Sequence, residues 1–368
     1  MQVKPSLRIY SSVYLALAQL LPTECDSRLT NMALLMVGIV GAHSVQTGRL
    51  AAYIPLHIKK LSIVRCMERF LDNGAVRVRS WYEPIARRLI QAAGELALVW
   101  DSTKVSAHHR LVLVGIAYRQ RVIPLAWTWV RSSRGHSRTN LQIALLSYVH
   151  SLLPAGVRVS LVGDCEFGHM PLLLTLQAWG WDYVLRQRGH QLVAVEDEPD
   201  WLRLDALLLR RGKWRFVENV LLTASQAVPT HLLLAWERHY PTPWLLATNL
   251  TNPRLILRLY HRRMWIEETF ADLKDNGFDL ERSALCHFLR LSRLTLAVAL
   301  LYVWFIAFGA DIVKQGLRSD VDRSNRRDLS LFRIAWDFLQ RTLLFDLPFH
   351  VSFSPFFGSL PHFHPCGW

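Results

Sequence analysis

"ELALVWDSTKVSAHHRLVLVGIAYRQRVIPLAWTWV" runs from Glu95 to Val130, and its reading decides the fold. Three apolar runs, "ELALVWD", "RLVLVGIAY" and "RVIPLAWTWV", are separated by short polar breaks. They predict a strand followed by neighbouring antiparallel strands. "SRTNLQIALLSYVHSLLPAG" then reads as a helix, with Thr139 or Asn140 near its start and Pro154 ending it. "RVSLVGD" is a fourth strand, and its approach after a helix suits a crossover that pairs it beside the first. Asp101 and Asp164 then stand at adjacent strand ends, close enough to share a metal ion.

"FGHMPLLLTLQAWG" continues as a helix and "WDYVLRQRG" as a strand. This β-β-β-α-β-α-β order is the ribonuclease H-like arrangement. A further β-rich stretch, with "KWRFVENVLLT", "THLLLAWERHY" and "PWLLATNL", intervenes before the next helix. A minimal core of this kind does not need it, so it predicts an inserted β subdomain. Upstream, residues 1–95 carry apolar residues at three- and four-residue steps and read as helices studded with arginine. The expected class is therefore α/β, a ribonuclease H-like mixed sheet flanked by helices, with an inserted β subdomain and an N-terminal helical domain. The expected division is 1–95 helical and DNA-contacting, 96–187 first part of the core, 188–250 inserted β subdomain, 251–313 second part of the core, and 314–368 a helix and irregular tail.

"LYHRRMWIEETFADLK" (Leu259–Lys274) contains Tyr260, Arg263, Glu267 and Lys274. On one continuous helix each residue turns by about 100°, which puts all four side chains within an arc of about 60°. One carboxylate among two cations and a phenol is how a helix offers a metal ligand together with phosphate contacts. Asn252 can cap this helix, Pro253 suits its first turn, and Gly277 can end it. A local break near Tyr260 is compatible with the pattern.

The order Asp101, Asp164, then Glu267 inside a Tyr-Arg-Glu-Lys helix resembles the DDE transposases of the insertion-sequence type 4 family. The resemblance runs from about Leu96 to about Ala310. The helix motif is specific, whereas each strand aspartate alone is weak. The resemblance implies a bacterial transposase that binds the terminal inverted repeats of its element and cuts there. It also implies a DNA hairpin intermediate, joining of the freed ends to target DNA, a homodimer in the DNA complex and dependence on magnesium. Phosphodiester cleavage by two Mg2+ ions, with Mn2+ as a substitute, needs hard oxygen ligands, and Asp101, Asp164 and Glu267 would suffice. Arg263 and Lys274 suit phosphate oxygens. Tyr260 either donates its hydroxyl to a phosphate or packs beneath the sheet. Trp244, opening "WLLAT", matches a tryptophan that stacks on a flipped base in hairpin-forming members; a core position is equally open in a chain with 14 tryptophans.

Three carboxylates compete for these roles. Glu268 points about 100° away from Glu267 on a helix. Glu166 lies two residues past Asp164 and can reach the same cavity, and Asp182 begins a strand away from it.

The chain has 368 residues and a formal net charge of +14, with only 20% charged residues. Such an excess implies a polyanionic partner, most simply double-stranded DNA. Cysteines at 25, 66, 165, 286 and 366 form no CxxC pair, which argues against a disulfide framework or structural zinc and fits a reducing cytoplasm, nucleoid-associated in a bacterium. The terminal "HFHPCGW" reads as a loose aromatic tail, not a metal cluster. Leu294–Ala310 is uncharged, but 17 residues is the lower limit for a membrane span, and a helix packed against a sheet looks the same. Two alternatives to a transposase stay open: a ribonuclease H-like nuclease without strand transfer, and an inactive copy that only binds DNA.

Overall fold

The computed structural model describes residues 4–131, 137–196, 198–207, 210–323 and 328–360. The chain forms two compact units, one of Met1–Ala93 with Thr269–Trp368 and the other of Gly94–Glu268.

The first unit is helical. Its N-terminal part holds α1 (Pro5–Leu20), α2 (Asp26–Ala42), the short α3 (Thr47–Leu50), α4 (Lys60–Asp72) and α5 (Val78–Ala93). α2 buries Leu29 and every residue from Met32 to Val40, as expected of a central helix in a bundle.

The second unit is built on the expected strands. β1 (Leu96–Lys104), β2 (His109–Tyr118) and β3 (Arg121–Arg131) form an antiparallel meander. α6 (Thr139–Leu152) crosses over to β4 (Val159–Gly163), which lies parallel to β1 with Trp100 opposite Gly163. α7 (Met170–Ala178) leads to β5 (Asp182–Arg186), parallel to β4 with Gly163 opposite Leu185. The order β3-β2-β1-β4-β5 is the ribonuclease H-like half of the sheet.

The later strands are β6 (Leu192–Ala194), β7 (Leu202–Arg203), β8 (Lys213–Leu222), β9 (Val228–Trp236) and β10 (Trp244–Thr248). They do not make a separate layer. β10 pairs antiparallel with β5, β9 with β10, and β8 with β9, so a single 10-stranded sheet runs through to β7. The physical reason lies at β5. Its outer edge has unpaired backbone groups that must be satisfied, and β10 supplies them. The inserted stretch therefore extends the core sheet.

The helix expected over the Tyr-Arg-Glu-Lys motif is two helices. α8 (Pro253–His261) is followed by a 3-10 turn (Arg262–Met264) and then α9 (Trp265–Leu273), inside which the division between the units falls. Asn252 does cap α8, accepting from the amides of Arg254 and Leu255 at 3.1 and 3.2 Å, and Pro253 opens the first turn. Lys274 lies just past the end of α9.

The rest of the first unit is α10 (Phe288–Lys314) and α11 (Leu331–Leu344). α10 is long and apolar enough to cross a membrane, with a mean hydropathy of 2.2 over an 18-residue stretch, yet 94% of that stretch is buried. Within its unit it packs on α2, α4, α5 and α11. Its buried Arg293 donates to the carbonyls of Leu71 and Val76 at 2.7 and 3.1 Å, satisfying backbone acceptors around the end of α4. The "HFHPCGW" tail and Cys366 lie outside the described residues.

Candidate active site

The site in the second unit begins with register. Trp100 faces Gly163 and Gly163 faces Leu185, so the next residues, Asp101, Asp164 and Arg186, stand side by side where β1, β4 and β5 end their parallel pairing. Trp100 is fully buried and stacks on Phe167, with ring centroids 4.0 Å apart, which anchors the turn after Asp164 beneath the strands. That turn needs Gly168, where a Cβ would meet the Arg186 carbonyl oxygen at 2.6 Å.

Asp101 is 8% exposed. Burial pushes its carboxyl up to about 6, with Asp164 and Glu166 adding to the rise and Arg263 and the Ser102 amide opposing it. Asp164 Oδ1 stands 3.8 Å from Arg186 Nη1 and is a buried acceptor without a hydrogen-bond partner. Arg186 itself is tied to Thr242 Oγ1 and the Pro243 carbonyl at 2.9 and 3.1 Å.

Arg263 joins the strand ends to the helix. From the 3-10 turn its Nη2 donates to Asp101 Oδ2 at 2.8 Å and stands 3.7 Å from Asp164 Oδ2. Its Nη1 donates to Glu267 Oε1 at 2.8 Å. Burial works against the charged guanidinium, but Asp101, Asp164, Tyr260 and Glu267 outweigh it and hold the group above its usual range. The Glu267 side chain is 50% exposed, far more open than its two partners.

Tyr260 is 1% exposed. Burial raises its phenol above the usual range, and the charges of Arg263, Arg186, Asp164 and Asp101 all act on it. Its ring meets Trp244 edge-on with centroids 4.9 Å apart. Trp244 is 3% exposed and is enclosed by Tyr240 at 4.6 Å and His261 at 5.0 Å as well. A DNA base reaches the Trp244 face only if one of these rings moves. Lys274 belongs to the other unit, where it pairs with Glu281 at 2.7 Å.

The competing carboxylates have other work. Glu166 is 5% exposed and accepts from Ser102 Oγ at 2.6 Å, the Ser137 amide at 2.8 Å, Ser137 Oγ at 2.7 Å and Arg110 Nη2 at 3.2 Å. Its oxygens are committed to fastening Ser137, just before α6, to Ser102 of β1 and Arg110 of β2. Glu268 points away to Arg121 at 3.6 Å. Asp182 opens β5, at the opposite end of that strand from Arg186.

Hard carboxylate oxygens suit a divalent ion such as Mg2+, and the orphaned Asp164 Oδ1 is an acceptor such an ion would satisfy. Yet among the described residues no three His, Cys, Asp or Glu side chains stand in metal-holding geometry. The acids expected to close on an ion close on the Arg263 guanidinium instead. Arg186 and the Glu166 network were missed by sequence reasoning. Arg186 carried a signal, since it closes an apolar run of the sequence just as Asp101 and Asp164 do, although β1 continues past Asp101 to Lys104.

Residues 94–304 match the transposase DDE domain family. The match covers more than half of the 368 residues, and the chain belongs to this family of transposases. No curated protein matches it. Among solved structures it is similar to a piggyBac transposase synaptic complex with hairpin DNA, with a TM-score of 0.44, 10% sequence identity, and coverage of 95% of this chain and 86% of that one. Transposase DDE domains generally work with divalent metal ions.

Proposed function

We propose that the chain is the transposase of an insertion-sequence type 4 element, and that Asp101, Asp164 and Glu267 are its catalytic carboxylates. It binds the terminal inverted repeats, cuts the DNA ends by way of a hairpin, and joins them to target DNA, acting as a homodimer. The observation that carries this reading is the single guanidinium of Arg263 that reaches all three acids, from two strand ends and one helix.

Asp101 and Asp164 would hold Mg2+ from the sheet, and Glu267 from α9. Bound divalent ions activate the attacking oxygen and stabilise the leaving one. The chain's own contribution is position. The parallel register fixes Asp101 beside Asp164, and Asp101 is buried. Arg263 would offer a fork and Lys274 a point charge for phosphates, and Tyr260 would offer a hydroxyl. Stacking of a flipped base on Trp244 requires Tyr240, in the β9–β10 loop, to swing aside. The net charge of +14 supports a DNA partner and a binding affinity that falls steeply with salt.

The test is an assay on DNA carrying the element ends that flank the chain's own coding sequence, with Mg2+ and a target plasmid. The reading expects nicked, hairpin and joined products from the wild-type chain. Nicking without joined products would leave a nuclease that does not transfer strands.

A further inference from the structure

We propose that Arg263 is the internal counter-cation of the metal-free site, and that it must release Asp101, Asp164 and Glu267 before a divalent ion can take them. This rests on the reading of those three carboxylates as metal ligands. One guanidinium lies 2.8 Å from an oxygen of Asp101, 2.8 Å from one of Glu267 and 3.7 Å from one of Asp164. Three carboxylates so close repel one another unless a cation lies between them. The Arg263 side chain is only 12% exposed, so solvent does little to screen its pairing with the strand acids. Arg186 cannot take over, because it approaches only the far oxygen of Asp164 and is bound to Thr242 and Pro243.

An ion and this guanidinium compete for the same three carboxylates, of which the guanidinium already faces Asp101 Oδ2, Asp164 Oδ2 and Glu267 Oε1. The absence of metal-holding geometry among the described residues follows from that, since acids spread around a forked guanidinium are farther apart than acids around one ion. The backbone provides a way out. Arg263 sits in the three-residue 3-10 turn between α8 and α9, a segment whose tighter and weaker hydrogen bonding marks it as a hinge. A freed guanidinium keeps its charge and its fork, and a DNA phosphate is the natural second partner. Arg263 would thus keep the empty site intact and hand the acids over when they are needed.

The test uses the full chain without DNA and Mn2+ alone as the probe. Mn2+ affinity is measured by calorimetry, and melting temperature is measured in chelator and in Mn2+. Arg263→Gln is expected to melt lower in chelator, to gain more from Mn2+ than the wild type does, and to bind Mn2+ about tenfold tighter or more once the competing cation is gone. Arg263→Lys, which keeps a charge but cannot fork between the acids, should fold readily and bind Mn2+ tighter than wild type by a smaller factor. Adding Asp101→Asn to either variant should erase the gain. Equal or weaker Mn2+ binding in both variants would overturn the proposal while leaving the carboxylates as ligands. Mn2+ binding that ignores Asp101→Asn in every background would overturn both.

Discussion

The two halves of the candidate site are built differently. Asp101 and Asp164 are delivered by a sheet, where parallel register sets them side by side, Asp101 buried and Asp164 partly exposed. Glu267 is delivered by a helix that follows a 3-10 turn, is half exposed, and is tied to the others only through Arg263. One pair of candidate ligands is thus set by the fold, and the third is joined to them by the Arg263 ion pairs. A site of this kind can be complete in chemistry and still open in geometry.

The largest expected effect comes from removing the acids themselves. Asp101→Ala, Asp164→Ala and Glu267→Ala should each lower end cleavage by at least about a thousandfold while retaining DNA binding by gel shift. Cleavage near the wild-type rate in any of them removes that residue from the site. The halves should differ in stability, because the Glu267 change touches an exposed side chain and should leave the melting curve nearly unchanged.

The aromatic support beneath the helix comes next. Trp244→Ala should cost about 3–5 kcal/mol of stability, the usual range for a buried aromatic, and Trp244→Phe clearly less. If the base-stacking role also holds, a stable background should still show hairpin formation slowed more than the first nick. Equal loss of both steps with a lowered melting point would leave Trp244 a core residue alone.

Gly168 tests the strand half. Gly168→Ala places a Cβ 2.6 Å from a backbone oxygen that cannot step aside like a flexible side chain. A loss of about 1–3 kcal/mol is expected, with cleavage falling in parallel as Asp164 shifts. An unchanged melting curve would show that the turn is slack.

The smallest effect is a pH dependence. The Asp101 carboxyl is raised to about 6 in the fold, above its unfolded value near 4, so the folded state holds the proton more tightly. Ionised Asp101 therefore destabilises the metal-free protein. That cost is absent below about pH 4, grows between about pH 4 and 6, and is full above. Asp101→Asn should raise the melting temperature in chelator at pH 7.5 by more than at pH 4.5. The same gain at both pH values would contradict the desolvation account.

Much of the sheet was legible because each strand is an apolar run with a polar stop, and because a helix between two strands forces a parallel crossover. That logic placed Asp101 beside Asp164, and applied once more it reaches Arg186. The continuation through β10 to β7 was not legible, since which edge a strand joins is a non-local choice. The pattern allows a break near Tyr260, but its place at Arg262–Met264 carries no proline or glycine to mark it. The wheel drawn through it held for Tyr260, Arg263 and Glu267, which share one unit, but put Lys274 on a helix that ends one residue earlier. Glu166 looked like a spare ligand because Ser137 and Arg110, which occupy it, are distant in sequence.

The most direct test of three acids acting as one site is to let a bound metal mark its own ligands. Fe2+ in place of Mg2+, with ascorbate and peroxide, generates radicals that cut the chain where the ion is held. The account expects cuts beside Asp101, Asp164 and Glu267 together, all three lost in Asp164→Asn. Cuts near Asp101 and Asp164 with none near Glu267, or a pattern that survives Asp164→Asn, would contradict it.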